Sequence, residues 1–261
     1  MRKLLLFLLL ILGCRLFPVG ILLQPSAYHH ALSGLSLLNS HPANSFSHPS
    51  LAQSGIESSV SRILNLEQLP LYNTHFAFRT PKYGFFLGSS YLNNNLYTES
   101  DTGFGINYTY KFISVGASIH LIHTNIKNFD SHSAYPICMG IAWQQTNITT
   151  AFSLRNAFQA KFAEELLPMI FLWETAGKLS DKTTISFGLE KENDFDFSFK
   201  MGSSYKLLPT FSLLCSYQYN PHRIGVGVVF SIRNLNICYG VRTHPHLNLS
   251  HYITLHYEIL H

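Results

Sequence analysis

Apolar and polar side chains alternate one by one over much of the chain. Between residues 195 and 207, one parity carries Phe195, Phe197, Phe199, Met201, Tyr205 and Leu207, and the other carries Ser198, Lys200, Gly202, Ser204 and Lys206. Successive side chains of a strand point to opposite faces, so this pattern predicts a strand with one apolar and one polar face. A helix would mix the two sets.

The alternation recurs along most of the chain after residue 56. It is clear in segments 104–112, 115–121, 137–143, 185–189, 211–219, 224–232, 235–241 and 253–259. Breakers or polar turns separate the segments at 80–82, 93–95, 179–182, 192–193, 208–209, 220–221 and 244–245. We expect about twelve to fourteen antiparallel strands, each about 9–11 residues long, which is the length that crosses a bilayer at a tilt.

The composition of the two faces indicates what each one meets. The polar face is mostly Gly, Ser, Thr and Asn, and charged residues make up only 12% of the chain while aromatics make up 14%. An ordinary soluble protein has about 25% charged residues, and a soluble sandwich places them on its outer faces. We therefore predict an all-β fold: a transmembrane antiparallel up-and-down β-barrel with its apolar face toward lipid and its polar face toward the lumen. A soluble secreted β-sandwich is the alternative.

The N-terminus has the layout of a secretory signal. Arg2 and Lys3 precede the unbroken apolar run 4–12. Two processing routes fit: lipidation of Cys14 after a lipobox-like Ile-Leu-Gly, or cleavage within 24–27, where the apolar stretch ends. An uncleaved anchor helix is disfavoured because a charge and a proline interrupt the segment.

The chain is thus expected to have three parts and to lie in the bacterial outer membrane. These are a signal peptide (1–27), an N-terminal luminal or periplasmic segment that could plug the barrel (28–55), and the barrel (56–261).

Two regions carry motifs. The first is Ala31-Leu32-Ser33-Gly34-Leu35-Ser36, followed by His48-Pro49-Ser50-Leu51-Ala52; the second is Thr243-His244-Pro245-His246-Leu247-Asn248-Leu249-Ser250-His251. They resemble the "ALGGA … NPAGLA" and "THPxLGxSH" motifs of PorV/PorQ-like outer-membrane proteins, which are similar to the FadL superfamily of fatty-acid transporters. His48 stands in place of the usual Asn, and Asn248 in place of Gly. The matched positions are Gly34, His48, Pro49, Leu51, Ala52, Thr243, His244, Pro245, Leu247, Ser250 and His251. The resemblance implies a barrel of about fourteen strands with an N-terminal plug, and the relatives include a carrier in type IX secretion.

No residue pattern points to catalysis, a cofactor or a metal. Most of the 14 histidines lie near the two ends of the chain, without an HExxH pair, and we expect them to be wet, unpaired turn and lumen residues. Ser118 and His120 share the polar face of one strand, but the segment lacks the second glycine of a GxSxG nucleophile elbow. The acidic stretch 190–196 is expected to be a solvated turn rather than a calcium site.

These observations together predict a non-enzymatic outer-membrane barrel associated with transport or protein secretion. Its expected partners are outer-membrane lipid, the barrel-insertion machinery, and either secretion-system components or a hydrophobic small molecule. Nucleic acid is not expected, because no Lys/Arg run tracks phosphates. In the last strand, Tyr257 and Ile259 alternate as the insertion machinery requires, whereas His261 departs from a terminal aromatic. A structural or adhesive envelope barrel, filled by its own side chains, is the alternative.

Overall fold

The computed structural model describes residues 26–66, 70–193 and 195–259. The expectations about the signal peptide before residue 26, the lipidation of Cys14 and the terminal His261 fall outside the described residues. No helix within these ranges is long and apolar enough to cross a bilayer.

Strands dominate the chain, with short helices only near its start. The helices are Ala27–Ala31 (α1) and Asn44–Ser47 (α2), with a 3₁₀ turn at Ile63–Asn65. The strands are Gly55–Arg62 (β1), Pro70–Arg79 (β2), Tyr83–Asn93 (β3), Tyr97–Tyr110 (β4), Ile113–Ile126 (β5), His132–Ala134 (β6), Ile137–Gln144 (β7), Ile148–Arg155 (β8), Lys161–Phe162 (β9), Glu165–Leu166 (β10), Ile170–Lys178 (β11), Thr183–Glu192 (β12), Ser198–Leu208 (β13), Phe211–Tyr219 (β14), Arg223–Ile232 (β15), Leu235–Arg242 (β16) and Ser250–Glu258 (β17).

Fourteen of these strands form one closed antiparallel barrel. Each long strand pairs with its neighbours in the chain, and β1 also pairs with β17, which closes the sheet. The short β6 continues the register of β7 along β5, and β9–β10 form a separate small hairpin. The prediction of an up-and-down barrel is confirmed, and the strand number lies at the upper end of the expected range.

The outer face of the barrel is apolar and the inner face is polar. On β1, Ile56 and Val60 are 45% and 47% exposed, whereas Glu57 and Ser59 between them are 0% and 3% exposed. The phenylalanines of β13 and of the loop before it likewise face outward. The two-sheet sandwich is excluded, because there is one closed sheet and its aromatic side chains are outside rather than between layers.

The two ends of the barrel differ in loop length. At the short-turn end, the connections are 80–82, 111–112, 145–147, 179–182, 209–210 and 233–234. At the long-loop end, they include 127–136, 156–169 and 243–249. Exposed aromatic side chains mark both strand ends, for example Tyr83 and Tyr110 at the short turns and Tyr91 and Tyr219 at the long loops. Such girdles are typical of barrels that sit in a bilayer.

Candidate functional site: the plugged lumen

Residues 26–54, here called the plug, lie inside the barrel. Inward-facing glycines let the plug backbone touch the wall. A Cβ added to Gly240 or to Gly225 would lie 2.5 Å from a plug carbonyl oxygen, that of Ala27 or of Ala31 respectively. At Gly116 of β5, the Cβ would lie 2.1 Å from the carbonyl oxygen of Pro49. The glycines on the polar face therefore make room for a second chain segment.

Two apolar clusters also join the plug to the wall. In the larger cluster, leucines of the plug pack against Leu214, Val229 and Cys238 on the inner face of β14–β16. In the smaller one, Phe46 of α2 packs edge-on against Phe86, with ring centroids 5.1 Å apart. Burial of such side chains contributes roughly 1.5–3 kcal/mol each, so these contacts favour the closed lumen.

Glu174 of β11 is the main polar anchor of the plug. Its carboxylate accepts hydrogen bonds from the backbone N–H of Ser36 at 2.8 Å and of Leu37 at 2.8 Å, and from the Ser36 hydroxyl at 3.0 Å. The Ser186 hydroxyl donates to it at 2.8 Å, and Nε2 of His48 lies 3.4 Å away. A fully buried carboxylate is costly unless it is hydrogen-bonded, so this set of donors explains how it is tolerated.

A second carboxylate holds the plug from another part of the wall. Glu57 of β1 lies 2.7 Å from Nδ1 of His41, and both side chains are at most 2% exposed. The His41 ring stacks on Tyr28 of α1 with centroids 4.8 Å apart. Burial raises the pKa of Tyr28 well above its usual value, so its hydroxyl stays protonated.

Hydroxyl side chains of the wall complete the attachment of the plug. Ser216 of β14 donates to the carbonyl of Ala31 at 2.8 Å and its Oγ lies 2.8 Å from that of Ser33. Thr254 of β17 accepts from the backbone N–H of Ala27 at 2.8 Å. Apart from the peptide bond that joins it to β1, the described part of the plug is held by these hydrogen bonds and by the apolar contacts above.

Three residues on the inner wall form a serine–histidine–aspartate arrangement. Nδ1 of His120 lies 3.0 Å from Asp101 Oδ1, and its Nε2 lies 3.3 Å from the Ser118 hydroxyl. All three are at most 5% exposed, and Phe46 of the plug covers the His120 ring at a centroid distance of 5.3 Å. The plug therefore covers the three side chains in this structure.

The histidine expectation from the sequence is wrong for the lumen. His41, His48 and His120 are dry and lie beside carboxylates rather than being wet and unpaired. The sequence does not indicate these partners, because plug histidines meet carboxylates of the wall and His120 meets one on the neighbouring strand. The sequence feature that could have indicated a buried carboxylate is a single acidic residue on an otherwise charge-poor polar face, as at Glu57 and Glu174.

The first group of motif residues lies in the plug. Gly34 has φ +88°, and a Cβ there would lie 2.9 Å from Lys200 Nζ. Both the backbone conformation and the limited space therefore favour glycine. Pro49 packs on Gly116 and Gly140, Leu51 packs on Ala142 and Ala151, and Ala52 packs near Ala77. These residues, with His48, form plug-to-wall contacts.

The second group lies at the long-loop end and does not meet the first. The backbone N–H of Thr243 donates to the Ile224 carbonyl at 2.9 Å, and the Thr243 hydroxyl accepts from the Ile224 backbone N–H at 2.8 Å. Ser250 Oγ accepts from the backbone N–H of Leu64 at 2.9 Å. Nδ1 of His251 lies 2.7 Å from the Tyr239 hydroxyl on the outer face. His244, Pro245 and Leu247 lie in the exposed loop. These residues shape the rim.

The short-turn mouth contains an open cavity of about 640 Å³. Gln53 and Ser54 of the plug line it together with Phe78, Arg79 and Ile259 of the wall. Ser54 accepts a hydrogen bond from the Arg79 backbone N–H at 2.9 Å, which ties the end of the plug to β2. Within the three described ranges, no group of three or more His, Cys, Asp or Glu side chains is placed to hold a metal ion.

Comparison with known proteins identifies the fold. No family model and no curated protein matches the chain. Among solved structures, the chain is similar to a FadL homologue of Pseudomonas aeruginosa, with a TM-score of 0.65 and 8% identity over 90% of this chain and 98% of that chain. It is also similar to the CymD monoaromatic hydrocarbon channel, with a TM-score of 0.60 and 9% identity over 91% and 98%. The chain therefore has a FadL-like β-barrel fold.

Proposed function

We propose that this protein is a transport barrel of the bacterial outer membrane whose lumen is opened by displacement of its N-terminal plug. The observation that carries the proposal is that a separable segment fills the lumen. In a barrel filled by side chains of its own wall, no segment could move to open the lumen. Here one chain segment fills the lumen, and hydrogen bonds and apolar contacts attach it to several sides of the wall.

The proposed cargo is a hydrophobic small molecule. The similar solved structures include a monoaromatic hydrocarbon channel. The apolar cluster between the plug and β14–β16 supports the same class, because a moving plug would uncover apolar surface inside a polar lumen. The proposal includes no catalytic role.

A reversible disulfide between plug and wall tests the proposal. Ser33 and Ser216 have hydroxyl oxygens 2.8 Å apart, so cysteines at both positions need only a small adjustment to form an S–S bond of about 2.05 Å. The variant Ser33→Cys/Ser216→Cys is made in a Cys215→Ser background and placed in liposomes. We expect uptake of a hydrophobic fluorescent probe to fall to the protein-free level when oxidised and to recover on reduction.

The control disulfide joins two wall strands without touching the plug. Ser58 and Thr74 face outward on β1 and β2 with hydroxyl oxygens 3.3 Å apart. Ser58→Cys/Thr74→Cys should leave uptake unchanged by oxidation. Equal uptake by the oxidised and reduced Ser33/Ser216 variant would contradict a moving plug. Absence of uptake by the wild type would favour the structural or adhesive barrel instead.

Protein secretion is the second candidate function. It is supported by the order of the PorV/PorQ-like motifs and by exposed apolar side chains in the two longest connections, such as Phe129 at 76% and Phe158 at 69%. A secreted partner that covers these side chains should be trapped by photo-crosslinking from position 129 or 158 in cells. Crosslinks to lipid alone at both positions would count against this candidate.

The outer-membrane location and the lipid and insertion-machinery partners belong to the same proposal. The apolar outer face and its aromatic ends support it. Membrane fractionation with heat-modifiable gel mobility is the test. Recovery in the soluble fraction without detergent would refute it.

A further inference from the structure

Two arginines lie side by side on the inner wall at the long-loop end, without a carboxylate partner. Arg223 is the first residue of β15 and Arg242 is the last of β16, and Arg242 pairs with Gly225, two positions from Arg223 on the same face. In the described part of the chain, neither guanidinium forms an ion pair with an acid, and the Nε of each has no hydrogen-bond partner. Two adjacent like charges repel each other, which favours a bound counter-ion.

The surroundings of the two arginines supply neutral acceptors but little negative charge. One Nη of Arg242 donates to the Gln218 side chain at 2.6 Å, and the other lies 3.4 Å from Nδ1 of His30 in the plug. The charge of Glu190 acts on both arginines, but its carboxylate is held by Lys200 at 2.7 Å. Among the described residues, the two arginines therefore have no carboxylate of their own.

Two neighbouring histidines lie in the positive field of the arginines. Burial and the charge of Arg242 lower the pKa of His30 well below its usual value. In the loop above, the pKa of His244 is also lowered, by burial and then by Arg223. Both imidazoles are therefore neutral near pH 7, and a neutral imidazole can donate one hydrogen bond to an anion without adding charge.

The mouth of the barrel gives access to this place. Arg223, Arg242 and His30 are each partly exposed, and His244 lies in the 243–249 loop at the rim. Below them, the ring of His30 stacks on Tyr252 at a centroid distance of 3.7 Å, which fixes the floor. The two arginines are thus held by the wall, and the His30 ring below them is held by stacking. Together they form a preorganised recess that opens to the long-loop side.

We propose that Arg223, Arg242 and His30 form a binding site for a phosphate group at the long-loop mouth of the lumen. A phosphate monoester carries close to two negative charges and three strong acceptor oxygens, which matches two guanidinium forks better than a monocarboxylate does. The site is complete with the plug in place, so phosphate binding can be tested separately from the transport proposal.

Calorimetric titration of the folded full chain in detergent, at constant ionic strength, tests the site. The probes are inorganic phosphate and pyrophosphate, with acetate as the monocarboxylate. We expect saturable phosphate and pyrophosphate binding, and a loss of about tenfold or more in affinity for both Arg242→Gln and Arg223→Gln, which is the scale of one charge-assisted contact. Lys182→Gln removes the same charge from the short-turn end and should change affinity less than twofold.

Three results would overturn the proposal. They are no saturable binding of either phosphate probe to the wild type, an equal loss in Lys182→Gln, or tighter binding of acetate than of phosphate. Heat-modifiable mobility confirms that each variant is folded. Should one arginine variant fail that check, the other variant and the wild-type titration still decide the matter.

Competition separates the two sources of a phosphate group. Micelles of bisphosphorylated lipid A are added to the pyrophosphate complex, with dephosphorylated lipid A as the matched control. Displacement by the phosphorylated form alone supports the site and assigns it to a lipid headgroup. Pyrophosphate binding without displacement supports the site and assigns it to soluble phosphate esters.

Discussion

Glu174 and Ser36 are 138 positions apart in the chain, yet the Glu174 carboxylate accepts hydrogen bonds from both the backbone N–H and the hydroxyl of Ser36. This contact joins the middle of the plug to β11. The carboxylate is enclosed, and most of its hydrogen-bond donors belong to the plug. If the plug moved away, the negative charge of Glu174 would lose these donors.

Replacing Glu174 should loosen the plug without opening the sheet. Hydrogen bonds to a charged group contribute about 1.5–3 kcal/mol each, and Glu174→Ala removes several together. We expect hydrogen exchange at the amides of Ser36 and Leu37 to accelerate at least about a hundredfold, while exchange in the barrel strands stays slow. Glu165→Ala, at an exposed loop position, is the control and should change neither. Unchanged exchange at residues 36 and 37 in Glu174→Ala would show that the carboxylate is not an anchor.

A methyl group at Gly116 should prevent the plug from seating. A Cβ there would lie 2.1 Å from the carbonyl oxygen of Pro49, a backbone atom that cannot rotate away. Overpacking of this kind costs about 1–3 kcal/mol. We expect Gly116→Ala to lower the free energy of unfolding in vesicles by that amount and to make the plug sensitive to protease.

Gly177→Ala is the matched control for this prediction. The nearest atom to its added Cβ is the Asn147 carbonyl oxygen at 3.8 Å, an ordinary contact distance. The control should unfold like the wild type. Equal stability of the two alanine variants would mean that the plug backbone is not seated on Gly116.

A charge on the outer face should cost more near the middle of a strand than at its end. Phe104 lies midway along β4 and is 49% exposed, whereas Tyr110 is the last residue of the same strand and is 61% exposed. An arginine at the bilayer midplane costs about 2–4 kcal/mol and one near the interface about 0–1 kcal/mol. Phe104→Arg should therefore destabilise the protein in vesicles by the larger amount and Tyr110→Arg by the smaller. A reversed order would contradict the placement of β4 across the bilayer.

Acid should weaken the attachment of the plug through His30. Burial, and then the charges of Arg242 and Arg223, lower the pKa of His30 well below its usual value. The unfolded chain therefore binds the proton more readily, so the stability contributed by neutral His30 is complete above a pH of about 6.5 and is lost as the pH falls below it. Plug amides, corrected for intrinsic exchange, should exchange faster at pH 5 than at pH 7.

His30→Gln should reduce this acid sensitivity, since glutamine does not titrate. His29 beside it has a pKa lowered in the same direction, by burial and by His30, so His29→Gln/His30→Gln should reduce the sensitivity further. An acid response that is unaltered in the double variant would assign it to other groups of the lumen.

The barrel itself was predictable from the sequence because its outer surface follows a local rule. Residues two apart on a strand share a face, so the apolar set around Phe199 and the polar set around Lys200 reveal strand, face and surroundings without knowledge of any distant contact. The same rule placed Ser118 and His120 together on an inner face, but it could not bring Asp101 to them from β4.

What the sequence by itself determined is the alternation that makes fourteen strands and sends their aromatic side chains outward. Only the tertiary structure decided what fills the lumen: closure of β1 on β17 brings polar residues from all strands around one axis, and the plug meets them there. Contacts such as Ser33 with Ser216 or His41 with Glu57 are set by that closure and by the path of the plug. No local periodicity encodes them, because each joins residues whose positions along the chain are unrelated.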